Sequence, residues 1–293
     1  MKYIKFKNST KIFLKKFLKE KSISMRSYQE LIKVGIFVND EPTFKNIALK
    51  EGDTIKIFIE DENLDYKPIK GDLKIVYEDY NLLVVNKPSG LTVNSKNQTS
   101  LANYLAYYFK ENNIKSKVRL ISRLDMNTSG LMMVAKNKFA QAYYQKQLEE
   151  NKIIKKYLAY IKGELNIDEL YKIKLAYDEL SKSYRKNTAG KEAITYFKSL
   201  EIGEEYSIIE CDIKTGKTHQ IRASLSNLKY PIIGDILYGS EFQFERFLLH
   251  SYFLEFKEFL SQESIILEDF PDFKPFLMKL WKDLSCKIYR NIL

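Results

Sequence analysis

The order of elements read from this 293-residue chain predicts an α+β fold. Three observations carry it. Apolar strand runs at residues 82–85, 131–135, 153–161 and 206–213 follow one another without a regular helical crossover between each pair, which argues against a doubly wound parallel sheet. Helical stripes of period 3.6 fall between and around those runs. Residues with apolar side chains make up 45% of the chain, enough core for one large domain and one small one. The expected architecture is a large domain with a central, mixed, mostly antiparallel sheet flanked by helices, preceded by a small α+β unit.

The small unit is expected over residues 1–62. Ile12, Leu14, Phe17 and Leu18 suggest a first short helix. Met25 to Val34 suggests a second, with Tyr28, Leu31 and Ile32 inward and Gly35 at its exit. A strand begins at Ile36-Phe37-Val38, Asn39-Asp40 turns the chain, and Glu51-Gly52-Asp53 turns it again before a strand over residues 54–59. Residues 63–71 are polar, carry Pro68 and lack periodicity, so they read as a linker. The large domain is expected over residues 72–293. The run Leu82 to Val85 is a strand ending in the loop Asn86-Lys87-Pro88-Ser89-Gly90. Leu101, Tyr104, Leu105, Tyr108 and Phe109 form a helical stripe capped by Thr99 or Ser100. Ile221, Leu225 and Leu228 mark a helix after Gly216. Phe273, Phe276, Leu277, Leu280 and Trp281 mark a C-terminal one.

The composition excludes several classes. No stretch of 18 apolar residues is present, so no membrane span is predicted. The lysine-studded start, with no small-residue cleavage site, does not read as a secretory signal, and a cytoplasmic location is expected. Two cysteines, Cys211 and Cys286, and two histidines, His219 and His250, are all far apart. They build neither a disulfide framework nor a zinc site, and the expected cysteine role is a small buried thiol. No metal or cofactor is called for. The net charge of +10 suits a polyanionic partner, and residues 1–33 hold ten Lys or Arg against Glu20 and Glu30.

The segment richest in chemistry is Ser122-Arg123-Leu124-Asp125-Met126-Asn127-Thr128-Ser129-Gly130, running into the apolar strand 131–135. Thr128, Ser129 and Gly130 suit a tight turn that lets backbone approach closely. Asp125 is either a nucleophile or base beside a positive partner, or a turn residue capping its own backbone.

This segment resembles the R-L-D and T-S-G signature of the RluA-type pseudouridine synthases. The likeness continues in family order. Lys87-Pro88-Ser89-Gly90 resembles the K-P-x-G loop, and Lys155-Lys156-Tyr157-Leu158-Ala159 the K-x-Y-x-A strand. Gly216-Lys217-Thr218-His219-Gln220-Ile221-Arg222 resembles the G-R-T-H-Q-I-R segment. Pro231-Ile232-Ile233-Gly234-Asp235, Leu237-Tyr238-Gly239 and Leu249-His250 resemble the late elements. The blocks span roughly residues 72–256. Ser122, Ser224 and Asn94 stand where many relatives have His, and Lys217 where they have Arg. Lys217 keeps the charge and loses the bidentate fork. Residues 1–62 resemble an S4-type RNA-binding domain, carried by the two basic helices, Gly35-Ile36-Phe37-Val38-Asn39 and Gly52-Asp53-Thr54-Ile55.

The resemblance implies an enzyme that turns chosen uridines of RNA into pseudouridine, with large-subunit ribosomal RNA favoured over transfer RNA; the oligomeric state is not readable from the sequence, and a monomer is the default expectation. It implies Asp125, Tyr157 and Arg222 as catalytic residues. It puts Arg123, Lys87, Lys217, Ile221 and Leu249 at the substrate, with Arg123 entering the space left by a flipped base and Lys87 on a backbone phosphate. Arg222 is expected to pair with Asp125, and Tyr157 to stack on the uracil. His219 and His250 are expected to fix loops. Two other readings stay open: a non-catalytic RNA-binding or ribosome-associated protein, and a nucleoside or sugar hydrolase. The hydrolase commonly needs a second carboxylate, for which Asp235 and Asp212 are the nearest candidates by motif.

Overall fold

The computed structural model describes residues 2–273, 275 and 278. The helix expected over Phe276, Leu277, Leu280 and Trp281 lies outside the described residues, as does Cys286. Phe273, its first expected residue, is irregular backbone.

The first part of the chain runs β1 (Lys2–Lys7), β2 (Ile12–Phe13), α1 (Leu14–Glu20), α2 (Met25–Val34), β3 (Ile36–Val38), β4 (Glu41–Thr43), β5 (Ala48–Leu49) and β6 (Thr54–Ile59). Ser24 caps α2 through its side chain, and Gly35 ends that helix at a φ of +96°. The strands pair in the order β1-β6-β3-β4, with β2 on β5. Strand β1 has no counterpart in the sequence reading, because its alternation Ile4, Phe6 is masked by the lysines between them.

The larger part runs β7 (Lys74–Glu78), β8 (Leu82–Lys87), α3 (Leu101–Glu111), β9 (Arg119–Leu120), β10 (Ser129–Ala135), α4 (Lys138–Glu149), β11 (Ile154–Lys162), β12 (Asp168–Asp178), β13 (Ser183–Lys186), β14 (Lys191–Glu201), β15 (Tyr206–Ile213), α5 (Gln220–Asn227), β16 (Leu249–Lys257) and β17 (Ser264–Glu268). The strands form one sheet in the order β13-β12-β14-β15-β11-β16-β10-β8-β7, with β17 on β16 and β9 on β10. The pairings are antiparallel except between β10 and β16, which run parallel through Ser129–His250 and Gly130–Ser251. The mixed, mostly antiparallel sheet is therefore the α+β architecture expected.

That parallel junction depends on one glycine. Gly130 sits at a φ of +115°, and a Cβ there would meet the Ser251 carbonyl oxygen at 2.2 Å and its nitrogen at 2.6 Å. Only a residue without a side chain lets β10 and β16 approach this closely. The loop that carries Asp125 enters β10 at this point.

Helix α3 buries Leu101, Leu105 and Phe109 against Leu83, Val85, Met132 and Val134 of the sheet. Its N-terminus is closed by a capping box between Ser100 and Asn103. On the other face Leu131, Met133, Tyr143, Tyr144 and Phe256 share one core with Ile4, Phe6, Phe17, Leu31 and Ile57 of the first part. The Phe6 ring meets Phe259 edge-on at 5.5 Å between centroids. The first part is thus packed on the sheet rather than tethered to it. The intervening segment is equally fixed, despite lacking helix or strand. Asp65 accepts a hydrogen bond from the Val118 amide (2.9 Å), Asn103 donates to the Lys67 carbonyl (2.9 Å), and Glu62 pairs with Arg119 (2.6 Å).

Candidate active site

A cleft of about 1090 Å³ opens along the sheet between the Asp125 loop, β11 and the N-terminal end of α5. It exceeds the ~300–1,000 Å³ usual for small-molecule sites. Asp125, Tyr157, Arg222, Arg123, Lys217, Ile221 and Leu249 all line it.

The loop itself is a turn in which the Thr128 amide donates to the Asp125 carbonyl (3.1 Å). Leu124, beside Asp125, packs on the cores of both halves of the domain and so sets the depth of the loop. The Asp125 carboxylate is left for contacts across the cleft. Arg222 supplies the nearest, Nη1 to Oδ2 at 3.0 Å.

Arg222 is placed by α5. The helix begins after His219, which adopts the left-handed conformation (φ 54°). Gln220 pins that entry, donating to the Ile194 carbonyl and Thr195 hydroxyl and accepting from the Thr215 hydroxyl and Lys217 amide. The guanidinium is buried, lying 4.3 Å over the Phe247 ring and 4.8 Å over Tyr238. Its other edge meets Asp235 in a fork, Nε to Oδ2 at 2.7 Å and Nη2 to Oδ1 at 2.9 Å. Burial works against the charged guanidinium, but the Asp235 hydrogen bonds and the two carboxylates outweigh it and raise its pKa. One arginine thus bridges two carboxylates, and Asp235, only 2% exposed, is fully engaged. Asp212 lines the cleft but pairs with Lys214 at 2.6 Å. Neither offers a free second carboxylate.

The bidentate role of Asp235 was not read from the sequence, although the block containing it was noted. Tyr238 was likewise noted without a role. Its hydroxyl meets His219 Nδ1 at 2.9 Å and accepts from the Tyr184 amide at 3.0 Å. His219 Nε2 lies 3.8 Å from Asp125. Burial, assisted by Arg222, lowers the His219 pKa despite the pull of both carboxylates.

Tyr157 is buried on β11, where it pairs in register with Ser251 of β16. Burial raises the Tyr157 pKa well above its ordinary value, with Asp125 adding to the effect, so the hydroxyl stays protonated.

Lys87 departs from the expected phosphate contact. The side chain is 0% exposed and does not line the cleft. Its ammonium donates to the carbonyls of Pro88 (2.7 Å), Leu91 (2.9 Å) and Met126 (2.9 Å), which uses all three protons on backbone. Burial, aided by Arg246, pushes its pKa down to about 7 while Asp125 pulls the other way. Lys87 ties the 88–91 loop to the residue after Asp125. Ser89 reinforces it by donating to the Asn127 carbonyl (2.9 Å).

His250 anchors the far end of the loop. It accepts from the Ser129 hydroxyl (2.7 Å) and donates to the Asp269 carbonyl (2.8 Å), while Arg246 donates to Ser129 (2.7 Å). Cys211 is a fully buried free thiol under Tyr157. Among the described residues no group of three or more His, Cys, Asp or Glu side chains is arranged to hold a metal ion. No helix of the described residues is long and apolar enough to cross a membrane.

The fold and this site define a cleft in which one carboxylate is held by a buried guanidinium. The chain belongs to the RNA pseudouridylate synthase family, whose model matches residues 81–227. It is 34% identical over 242 residues to the uncharacterized RNA pseudouridine synthase YhcT of Bacillus subtilis, covering 80% of each chain. It is 35% identical to the ribosomal large subunit pseudouridine synthase D of Neisseria meningitidis serogroup A over 70% of this chain and 57% of that one. Among solved structures, human RNA pseudouridylate synthase domain containing 1 superposes with a TM-score of 0.59 and 26% identity, over 69% of this chain and 84% of that one. The protein is a pseudouridine synthase, and its substrate is RNA.

Proposed function

We propose that this enzyme isomerises specific uridines of large-subunit ribosomal RNA, with Asp125 as the essential carboxylate. The observation that carries the assignment of Asp125 is its 3.0 Å contact with Arg222 inside the cleft that Tyr157 also lines. The choice of RNA leans on relatives named as large-subunit ribosomal enzymes.

The reaction breaks the N1–C1′ bond of a uridine and joins the same uracil to C1′ through C5. The C5 proton leaves and N1 gains one, so nothing is oxidised and no atom is lost. A stacked base cannot enter the cleft, and extrusion costs a few kcal/mol. Asp125 either attacks the ribose carbon or removes a ribose proton. In both versions Arg222 keeps the carboxylate oriented, and Asp235 keeps Arg222 oriented. The protonated Tyr157 suits stacking on the uracil and passing the C5 proton through water. Arg123, exposed at the cleft, enters the gap left by the base, and Lys217 contacts the strand. Ile221 and Leu249 supply apolar walls.

Residues 1–62 act as an S4-like RNA-binding domain, followed by the connector 63–71 and the catalytic domain from residue 72. The exposed lysines of α1 and α2 supply the phosphate-binding charge. The enzyme works as a cytoplasmic monomer. The hydrolase reading loses support because Asp235 and Asp212 are both engaged with cations.

The test is tritium release from C5-labelled uridine in ribosomal RNA. Wild type is expected to release tritium, and Asp125→Asn to fall to background, a loss on the order of 10⁴-fold or more. An active Asp125→Asn variant would remove Asp125 from the chemistry. Mapping pseudouridines in the RNA of a deletion strain checks the substrate: loss of a site in transfer RNA alone would overturn the ribosomal assignment.

A further inference from the structure

Two adjacent lysines of β11 end in opposite circumstances. Lys156 is answered by Glu210, Nζ to Oε1 at 3.2 Å, and lies over the Phe253 ring at 5.3 Å. Lys155 lines the same cleft as Asp125 and Tyr157, yet makes no hydrogen bond or ion pair among the described residues. It is half-buried, so water answers it only in part. Another acid of the cleft lining, Glu149 at the end of α4, accepts from the Gln145 side-chain amide at 3.5 Å.

We infer that Lys155 is a phosphate ligand for the strand flanking the extruded nucleotide, at a subsite of the cleft set apart from the reacting carboxylate. A half-buried ammonium without a counter-charge is costly to keep. Burial alone pushes the Lys155 pKa down to about 8, with no contribution from Asp125, in contrast to Lys87. The group therefore lies outside the strong field of Asp125 and is not a partner for it. An anion entering the cleft stabilises the charged form and offsets the desolvation cost. The cleft lining includes Gln145, Leu148 and Asn151 beside Asp125 and Lys155, and its volume of about 1090 Å³ leaves room for more than one nucleoside. A backbone phosphate is the anion that a polynucleotide brings to that position.

This inference rests on the cleft taking RNA, and its test needs binding but no turnover, so it stands or falls apart from the role of Asp125. The probe is a fluorescein-labelled 15-nucleotide oligouridylate, titrated by anisotropy from 50 to 500 mM salt. Lys155→Gln is expected to reduce the slope of log affinity against log salt by about 0.7, the share of one phosphate on a single strand. The gap to wild type then closes about fivefold across that range. Lys156→Gln, whose ammonium is spent on Glu210, is expected to keep the wild-type slope, and Lys155→Arg to restore most of it. Three results would each overturn the inference: an unchanged slope in Lys155→Gln, an equal drop in Lys156→Gln, or no binding of the oligouridylate by wild type. Thermal melting of both variants separates a lost contact from a lost fold. A lower melting temperature with an unchanged slope assigns Lys155 to structure and overturns the inference too.

Discussion

The Asp125 loop is held between two walls that use opposite physics. On one side the α5 wall presents Arg222, a buried cation answered by the carboxylates of Asp125 and Asp235. On the other, the β8 wall presents Lys87, a buried cation answered only by the neutral carbonyls of Pro88, Leu91 and Met126. The first wall aims at a side chain and governs where the Asp125 carboxylate points. The second aims at backbone and governs where the loop sits. A carboxylate that must stay available for chemistry can be oriented by charge, but its chain position is better fixed by groups that do not compete for that charge.

The contrast predicts unequal damage. Arg222→Ala removes the cation that contacts both carboxylates, one of them buried at 2% exposure. Breaking such a buried pair is expected to cost ~3–5 kcal/mol in urea unfolding and to abolish tritium release. Adding Asp235→Asn should recover part of the stability and none of the activity. If Arg222→Ala were no less stable than a Lys87 variant, the two walls would not differ in kind.

The next effect is pH-dependent and probes the far anchor of the loop. Burial lowers the His250 pKa from 6.5 to about 4, with Arg246 and Lys74 adding to that effect. Between those values the unfolded chain binds the proton and the folded chain does not, so stability rises with pH through this window. The contribution is complete above about pH 6.5 and lost as pH falls towards 4, a span of up to roughly 3 kcal/mol. Urea unfolding of wild type at pH 7 and pH 4.5 is expected to show that loss, and His250→Asn to show a visibly smaller one. Identical pH dependence in both proteins would place the titrating group elsewhere.

The smallest effect belongs to the neutral wall. Lys87→Met leaves three part-buried carbonyls without that donor and is expected to cost ~1–3 kcal/mol. Turnover should fall through loosening of the Asp125 loop, seen as faster amide exchange at residues 126–128. A stable Lys87→Met variant with weakened RNA binding and an unchanged loop would return Lys87 to the phosphate.

Much of this cleft was legible in the linear chain because the residues that line it lie in short blocks. Asp125, Tyr157 and Arg222 each sit in a motif whose local structure follows from a turn, a strand or a helix start. Gly130 was legible too, since a glycine at a turn entering a strand signals close approach of backbone. Lys87 shows where such reading fails. A lysine in a polar loop looks like a surface charge, and only the fold of residues 88–91 and 126 around it makes it a buried brace. Residues 63–71 read as a linker, and polar composition says nothing of the Val118 amide or the Asn103 side chain that hold them.

The amino-acid sequence by itself determined the α+β class, the periodic elements and the residue types available for chemistry, since these depend on neighbours within a turn or a strand. The tertiary structure alone decided the partners. Arg222 meets Asp125 across 97 positions, Phe6 meets Phe259, and Lys155 goes unanswered while Lys156 finds Glu210. Such pairings are set by the register of distant strands and by what burial leaves unsatisfied, quantities that exist only once the chain has closed on itself.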